Sequence, residues 1–152
     1  MSIFRRKEKI SKSALDHSCI GNFSKNSKNG RMKMQSGGHS KENFEQLKNY
    51  GINYQVTKKY PNGVMIGNVE NHDKKVKRVL SGQSWFPKTW SRRKVKNSAE
   101  KLANSIPYKL PDGMKMYGAY NGVKIGMIRK KGQIATVFPL TKQSGGKKND
   151  KK

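Results

Sequence analysis

Two of the chain's three histidines, His17 and His39, stand on either side of one long stretch, "GNFSKNSKNGRMKMQSGG". Imidazole changes charge nearest neutral pH, so a histidine pair can remove a proton at one atom and deliver one at another. His39 follows Gly37 and Gly38 and precedes Ser40, a residue type that starts helices by capping them. The positive end of a helix dipole there is expected to keep His39 neutral and ready to accept a proton. The two glycines remove side chains, so that an anion could approach the backbone N–H groups. The plainer readings are a flexible helix lead-in for Gly-Gly-His and an exposed loop histidine for His17. His72, in "ENHDKK", reads as a turn residue.

The nature of the anion comes from charge. Against 34 lysines and arginines stand 9 aspartates and glutamates, a formal net of +25. Such a surface attracts polyanions and gains affinity by releasing their counterions, so nucleic acid is the leading partner, ahead of an anionic membrane or an acidic protein. Within nucleic acids, RNA carries its own nucleophile. Its 2′-hydroxyl attacks the adjacent phosphate if one group takes its proton, another protonates the leaving oxygen, and a lysine or N–H stabilises the charge that develops on phosphorus.

Other chemistries are poorly supplied. The acidic residues are scattered, with no pair at metal-ligand spacing, and Cys19 with His17, His39 and His72 matches no zinc pattern. No phosphate-binding loop ending in Lys-Ser or Lys-Thr occurs. We therefore expect neither a metal site nor a cofactor. Cys19 has no intramolecular partner, in keeping with a reducing compartment. No apolar run approaches membrane-spanning length, and "MSIFRRKEKI" lacks the apolar core of a secretory signal.

These residues must be positioned by a modest core, since only 32% of the 152 residues are apolar. Residues 1–14 read as a basic flexible arm, 15–140 as one folded domain and 141–152 as a disordered basic tail. The Gly-rich stretch reads as a functional or disordered loop. A helix is expected after Ser40, with Phe44 and Leu47 on one face and Gly51 as its stop. A hairpin follows through Ile52, Tyr54 and Val56, turning near Pro61-Asn62-Gly63 into Val64 and Ile66. "SWFPKTWS" leads to a second helix capped by Ser91, with Trp90 packing on Val95 and an apolar stripe through Ala99, Leu102 and Ala103. Tyr120-Asn121-Gly122-Val123 and Lys131-Gly132 are the turns of a closing three-stranded meander. The fold class is α+β, with short N-terminal helices packed on antiparallel sheets.

In order along the chain, "DHSCIGNFS…SGGHS", "SWFPKTWSRRKV" and "VKIGMIRKKGQIATVFPL" resemble the bacterial branch of the EndoU endoribonuclease family over about Asp16 to Leu140. The resemblance implies an RNase A-like catalytic domain. The implied reaction is RNA cleavage without a required metal, leaving a 2′,3′-cyclic phosphate. Many relatives are toxins delivered to competing cells and restrained by an immunity protein. An acidic immunity partner, tRNA among the candidate substrates, a monomeric state and a cytoplasmic site of action reached by delivery are the corresponding expectations.

Carried over by position, His39 matches the base and His17 the acid. Thr136 matches the threonine of the terminal strand motif and would orient the nucleotide. Phe138 stands where many members carry tyrosine, so it can stack on a base but cannot donate a hydroxyl hydrogen bond. The third catalytic group, a lysine in the family, has no clear match. Lys88 of "FPKTWS" is the first choice and Lys124 the second. Gly37, Gly38 and Lys33 complete the expected substrate contacts. Trp85, Phe86 and Trp90 read as core before base-stacking. The competing reading of the whole chain is a non-catalytic basic nucleic-acid binder, which explains the charge equally well but not the ordered motifs.

Overall fold

The computed structural model describes residues 7–144. Four helices and three small antiparallel sheets follow one another as α1 (Lys12–Cys19), β1 (Asn22–Lys25), β2 (Met32–Ser36), α2 (Lys41–Asn49), β3 (Tyr54–Lys59), β4 (Met65–Val69), α3 (Lys75–Val79), β5 (Gln83–Trp85), α4 (Arg92–Ala103), β6 (Met116–Tyr120), β7 (Val123–Lys130) and β8 (Gln133–Pro139). The sheets are β1-β2, β3-β4-β5 and β6-β7-β8. This is the α+β class expected. No helix among the described residues is long and apolar enough to cross a membrane.

Local chemistry explains the element ends. Ser11, Ser40 and Ser91 each accept a bond from a backbone N–H in the first turn of α1, α2 and α4. At the β6–β7 turn Asn121 and Gly122 both have positive φ, 47° and 77°, as a two-residue type I′ hairpin requires. On β7 the burial alternates through Val123, Ile125 and Met127, so one face of the meander is apolar.

Two apolar clusters result. The larger joins α1 and α4 to the β6-β7-β8 meander through Leu15, Phe86, Trp90, Val95, Ile125 and Val137. The smaller packs α2 on the β3-β4-β5 sheet through Met34, Phe44, Leu47, Val69 and Trp85. Trp85, Phe86 and Trp90 are thus core residues, 0–3% exposed. Each fully buried large apolar side chain contributes roughly 1.5–3 kcal/mol.

Three expectations change. The stretch expected as a loop between the histidines is the β1–β2 hairpin, with an Asx turn at Asn26 and the chain reversing at Gly30. Its strands are short, and Met34 is the one fully buried side chain in β2, too little periodicity to see in sequence. The expected arm is packed from residue 7 onward: Ile10 is buried, α1 begins at Lys12, and the Glu8 carboxylate pairs with the buried Arg129 guanidinium. The tail boundary also moves, because buried Gln143 bonds to Asn62 and to the backbone of Lys124 and Leu140. The rest of both expected ends lies outside the described residues.

Candidate active site

The C-terminal end of α1 and the segment Gly37–Ser40 lie side by side, joined by three backbone bonds. Gly38 N–H donates to the His17 carbonyl (3.0 Å), His39 N–H to Ser18 (2.6 Å) and Ser40 N–H to Cys19 (3.3 Å). A helix leaves its last carbonyls without internal partners, and here the segment between β2 and α2 satisfies them. The glycines make this approach feasible. A Cβ at Gly37 would collide with the His17 carbonyl oxygen, and one at Gly38 with Asn43 and the Met34 methyl. Their φ angles of 72° and 69° are also ones other residues avoid. The N–H groups of Gly38 and His39 are therefore committed to α1 rather than open to an anion, which corrects the role expected of Gly38.

His39 is 4% exposed, and its Nδ1 lies 2.7 Å from the Ser84 carbonyl of β5. A carbonyl only accepts, so the proton sits on Nδ1 and the Nε2 lone pair is free to take another. Burial pushes the His39 pKa well below its ordinary 6.5, nearby Lys77 lowers it further, and the Ser84 bond opposes both. Neutrality was expected from the helix dipole; burial is the main cause.

A cavity of about 540 Å³ opens beside this ring. His17 reaches it from the last turn of α1, and Gly37, Thr136 and Phe138 line it as well. Phe138 approaches His39 with ring centroids 5.9 Å apart and planes at 45°. Ser84 ties the walls together: its carbonyl holds His39, and its hydroxyl donates to the Pro139 carbonyl across 2.7 Å. Ser18 does the same for the opposite wall, its hydroxyl accepting the Val137 N–H at 3.1 Å.

The lysine expectations do not meet the histidines. Lys88 is exposed, its Nζ 5.6 Å from the Phe44 ring centroid, outside the cavity. Lys124 does not line the cavity, and Lys33 is engaged with Asp73 at 2.8 Å. Gly38 stays beneath the surface against Asn43 and Met34. The cation that reaches the cavity from beside His39 is Lys77 of α3, half-buried, with its pKa brought down to about 8 by burial first and then by Lys74 and Lys115. Nothing local marks it in "NHDKKVKRVL", where it is one lysine among several. Lys74, Lys115 and Lys142 also line the cavity, and no carboxylate does. Among the described residues no three His, Cys, Asp or Glu side chains group so as to hold a metal ion.

A family model for the bacterial EndoU nuclease matches residues 11–141. The chain belongs to the bacterial EndoU nuclease family. No curated protein and no solved structure gives a significant match. The matched span of this EndoU domain takes in α1, all three sheets and every residue that lines the cavity up to Thr141. It also begins at the α1 cap Ser11, in agreement with the packing found at that end. An EndoU nuclease must meet an anionic backbone, and the carboxylate-free, lysine-rimmed cavity is suited to that contact.

Proposed function

We propose that this EndoU domain cleaves RNA by internal attack of the 2′-hydroxyl, leaving a 2′,3′-cyclic phosphate and a free 5′-hydroxyl. The observation that carries the reading is the meeting of His17, the free Nε2 of His39 and Lys77 at one cavity. His39 Nε2 takes the 2′-hydroxyl proton as the oxygen bonds to phosphorus. The bond from phosphorus to the 5′-oxygen breaks, and that oxygen receives a proton from His17. Lys77 donates to a non-bridging oxygen while negative charge accumulates there. Acid, base and electrostatic partner are all side chains, so the step balances without a metal ion.

The remaining lining residues have tasks suited to their chemistry. Phe138 offers a flat face next to His39 for the base whose ribose reacts, and the Thr136 hydroxyl orients that nucleotide. Lys74, Lys115 and Lys142 attract the neighbouring phosphates. The strong positive charge suits capture of structured RNA such as tRNA and binding by an acidic immunity protein, which is the arrangement of a toxin domain acting in the cytoplasm of a target cell.

Incubation with total tRNA in excess EDTA, followed by analysis of the new ends, tests this. Fragments with 2′,3′-cyclic phosphate ends are expected from the wild type. Loss of a general base is worth on the order of 100- to 10,000-fold, so His39→Ala should yield almost none while still binding RNA. RNA left intact in EDTA, with manganese and with mixed substrates would leave only a basic nucleic-acid binder.

A further inference from the structure

His72 is 3% exposed, yet it sits in a short connection between β4 and α3 rather than in either apolar cluster. Its surroundings join the two halves of the active site. On one side, residues 71–73 are zipped onto β2: Met34 N–H donates to the Asn71 carbonyl (2.8 Å), Asp73 N–H to the Met34 carbonyl (2.9 Å), and the Asn71 amide to Met32 (2.7 Å). β2 runs directly into Gly37, Gly38 and His39. On the other side, His72 closes the start of α3. Lys74 occupies the N-cap position but has no side-chain cap bond. The acceptor is supplied by His72 Nδ1, which takes the Lys74 N–H at 2.9 Å, while the His72 carbonyl takes a bond from Arg78 at 2.7 Å.

The ring is held at a cost. Accepting through Nδ1 leaves the proton on Nε2, which is buried and has no hydrogen-bond partner among the described residues. A hydrophobic residue would avoid that cost but could not cap α3.

We infer that His72 is a positioning residue: by capping α3 from the segment clamped to β2, it fixes Lys77 relative to His39. This rests on the assignment of Lys77 to the cleavage site. The chain of contacts is short, running from His39 along β2 to Met34, across to residues 71–73, and through the cap to α3. The α3 helix has only five residues, too few to hold itself without an external cap. Around Lys77 the charged or titratable neighbours are Lys74, Lys115 and His39. Around His72 they are Asp73, Lys74, Lys77, Arg78 and His39, with Lys33 of β2 held on Asp73.

Two substitutions separate capping from mere packing. Asparagine at this position can accept the N–H two residues ahead, as in an Asx turn, whereas leucine cannot. The Lys77 ammonium is followed directly by NMR of protein labelled with ¹³C-lysine, assigned with Lys77→Arg. The wild-type midpoint is expected near 8. In His72→Leu the uncapped helix lets Lys77 reach water, and the midpoint should rise by roughly one unit or more towards the ordinary lysine value. In His72→Asn it should stay within roughly half a unit of the wild type. On RNA, His72→Leu should lower kcat with little change in KM, and His72→Asn should restore it. A folded His72→Leu with an unmoved midpoint overturns the inference, as does an asparagine variant with a raised one. If the leucine variant does not fold, the asparagine titration decides alone. Wild-type protein inactive on every RNA would refute the cleavage reading, while the titration would still judge the His72 cap.

Discussion

The His39 ring donates from Nδ1 to the Ser84 carbonyl across 2.7 Å, a bond between residues 45 positions apart that fixes the tautomer of a buried imidazole and leaves its Nε2 with a free lone pair. Ser84 belongs to β5, the short strand whose neighbour Trp85 anchors the smaller core cluster. The hydroxyl of the same residue reaches Pro139, next to Phe138. One serine therefore sets both the tautomer of His39 and the placement of the aromatic face beside it.

Lys77 should steepen the alkaline loss of activity that the need for a protonated His17 already implies. Its folded pKa is lowered to about 8, so it is charged below that pH and neutral above it. A reaction that needs the ammonium should lose about a further tenfold in rate per pH unit above this value. Lys77→Arg, whose charge persists, should lack this added steepness and keep only the loss that comes from the acid, even if its rate is lower throughout. Lys88→Ala should leave rate and pH profile unchanged. A pH–rate profile of kcat/KM for the three proteins checks all of this, and a loss above pH 8 as steep in Lys77→Arg as in the wild type would reassign the steepening.

Gly37→Ala should damage the site and the fold together. The residue would carry a side chain at a φ of 72° and drive its Cβ into the His17 carbonyl. The backbone penalty and the clash together should destabilise by more than about 2 kcal/mol and separate α1 from the His39 segment. Urea titration gives the stability loss, and the cleavage rate of the remaining folded protein gives the cost to catalysis. Wild-type behaviour in both would mean that the two backbones can move apart freely.

The beginning of the domain should matter for stability. Arg129 is 1% exposed and its guanidinium pairs with Glu8, with Lys109 a further 3.9 Å contact of that carboxylate. Removing one partner leaves a buried charge without compensation, so Glu8→Gln should cost roughly 3–5 kcal/mol. Deletion of residues 1–11 should cost more, because it also removes Ile10 and the Ser11 cap of α1. Chemical denaturation with an unchanged slope would register both losses; full stability after deletion would restore the view of these residues as an arm.

Acidification should unfold the protein earlier than its carboxylates alone would. Burial lowers the His72 pKa from 6.5 to about 4, so the folded form binds fewer protons than the unfolded chain between those values. The stability this contributes is complete above pH 6.5 and is lost as pH falls towards 4, and the buried His39 acts in the same direction. For His72 the loss is on the order of 3 kcal/mol. His72→Asn should remove the His72 share of this loss and leave that of His39, as measured by urea midpoints at several pH values.

Helix starts, the meander and the two histidines that line the cavity were legible because their signals are local. A serine cap, an Asn-Gly turn and an alternating apolar strand act over a few residues, and Ser91, Asn121-Gly122 and Val123–Met127 stand as their patterns imply. The β1–β2 hairpin was not legible, since its pairing is decided by where Met34 is buried. Lys77 was hidden for a related reason. Among 34 basic residues a cavity-lining lysine has no distinguishing neighbour in sequence; burial and proximity to His39 distinguish it. The Gly-Gly pair was noticed at once, but the atoms it makes room for belong to α1, not to a ligand.

By itself, the sequence determined the fold class, the strongly positive charge and the pair of histidines that the fold brings to one cavity, because composition, short-range periodicity and residue type carry those properties. Only the tertiary structure decided which lysine joins the histidines, which imidazole nitrogen is free, and that His72 caps the helix bearing Lys77. Those depend on groups brought together from distant parts of the chain, where burial and hydrogen-bond geometry, rather than neighbours in sequence, set charge and orientation.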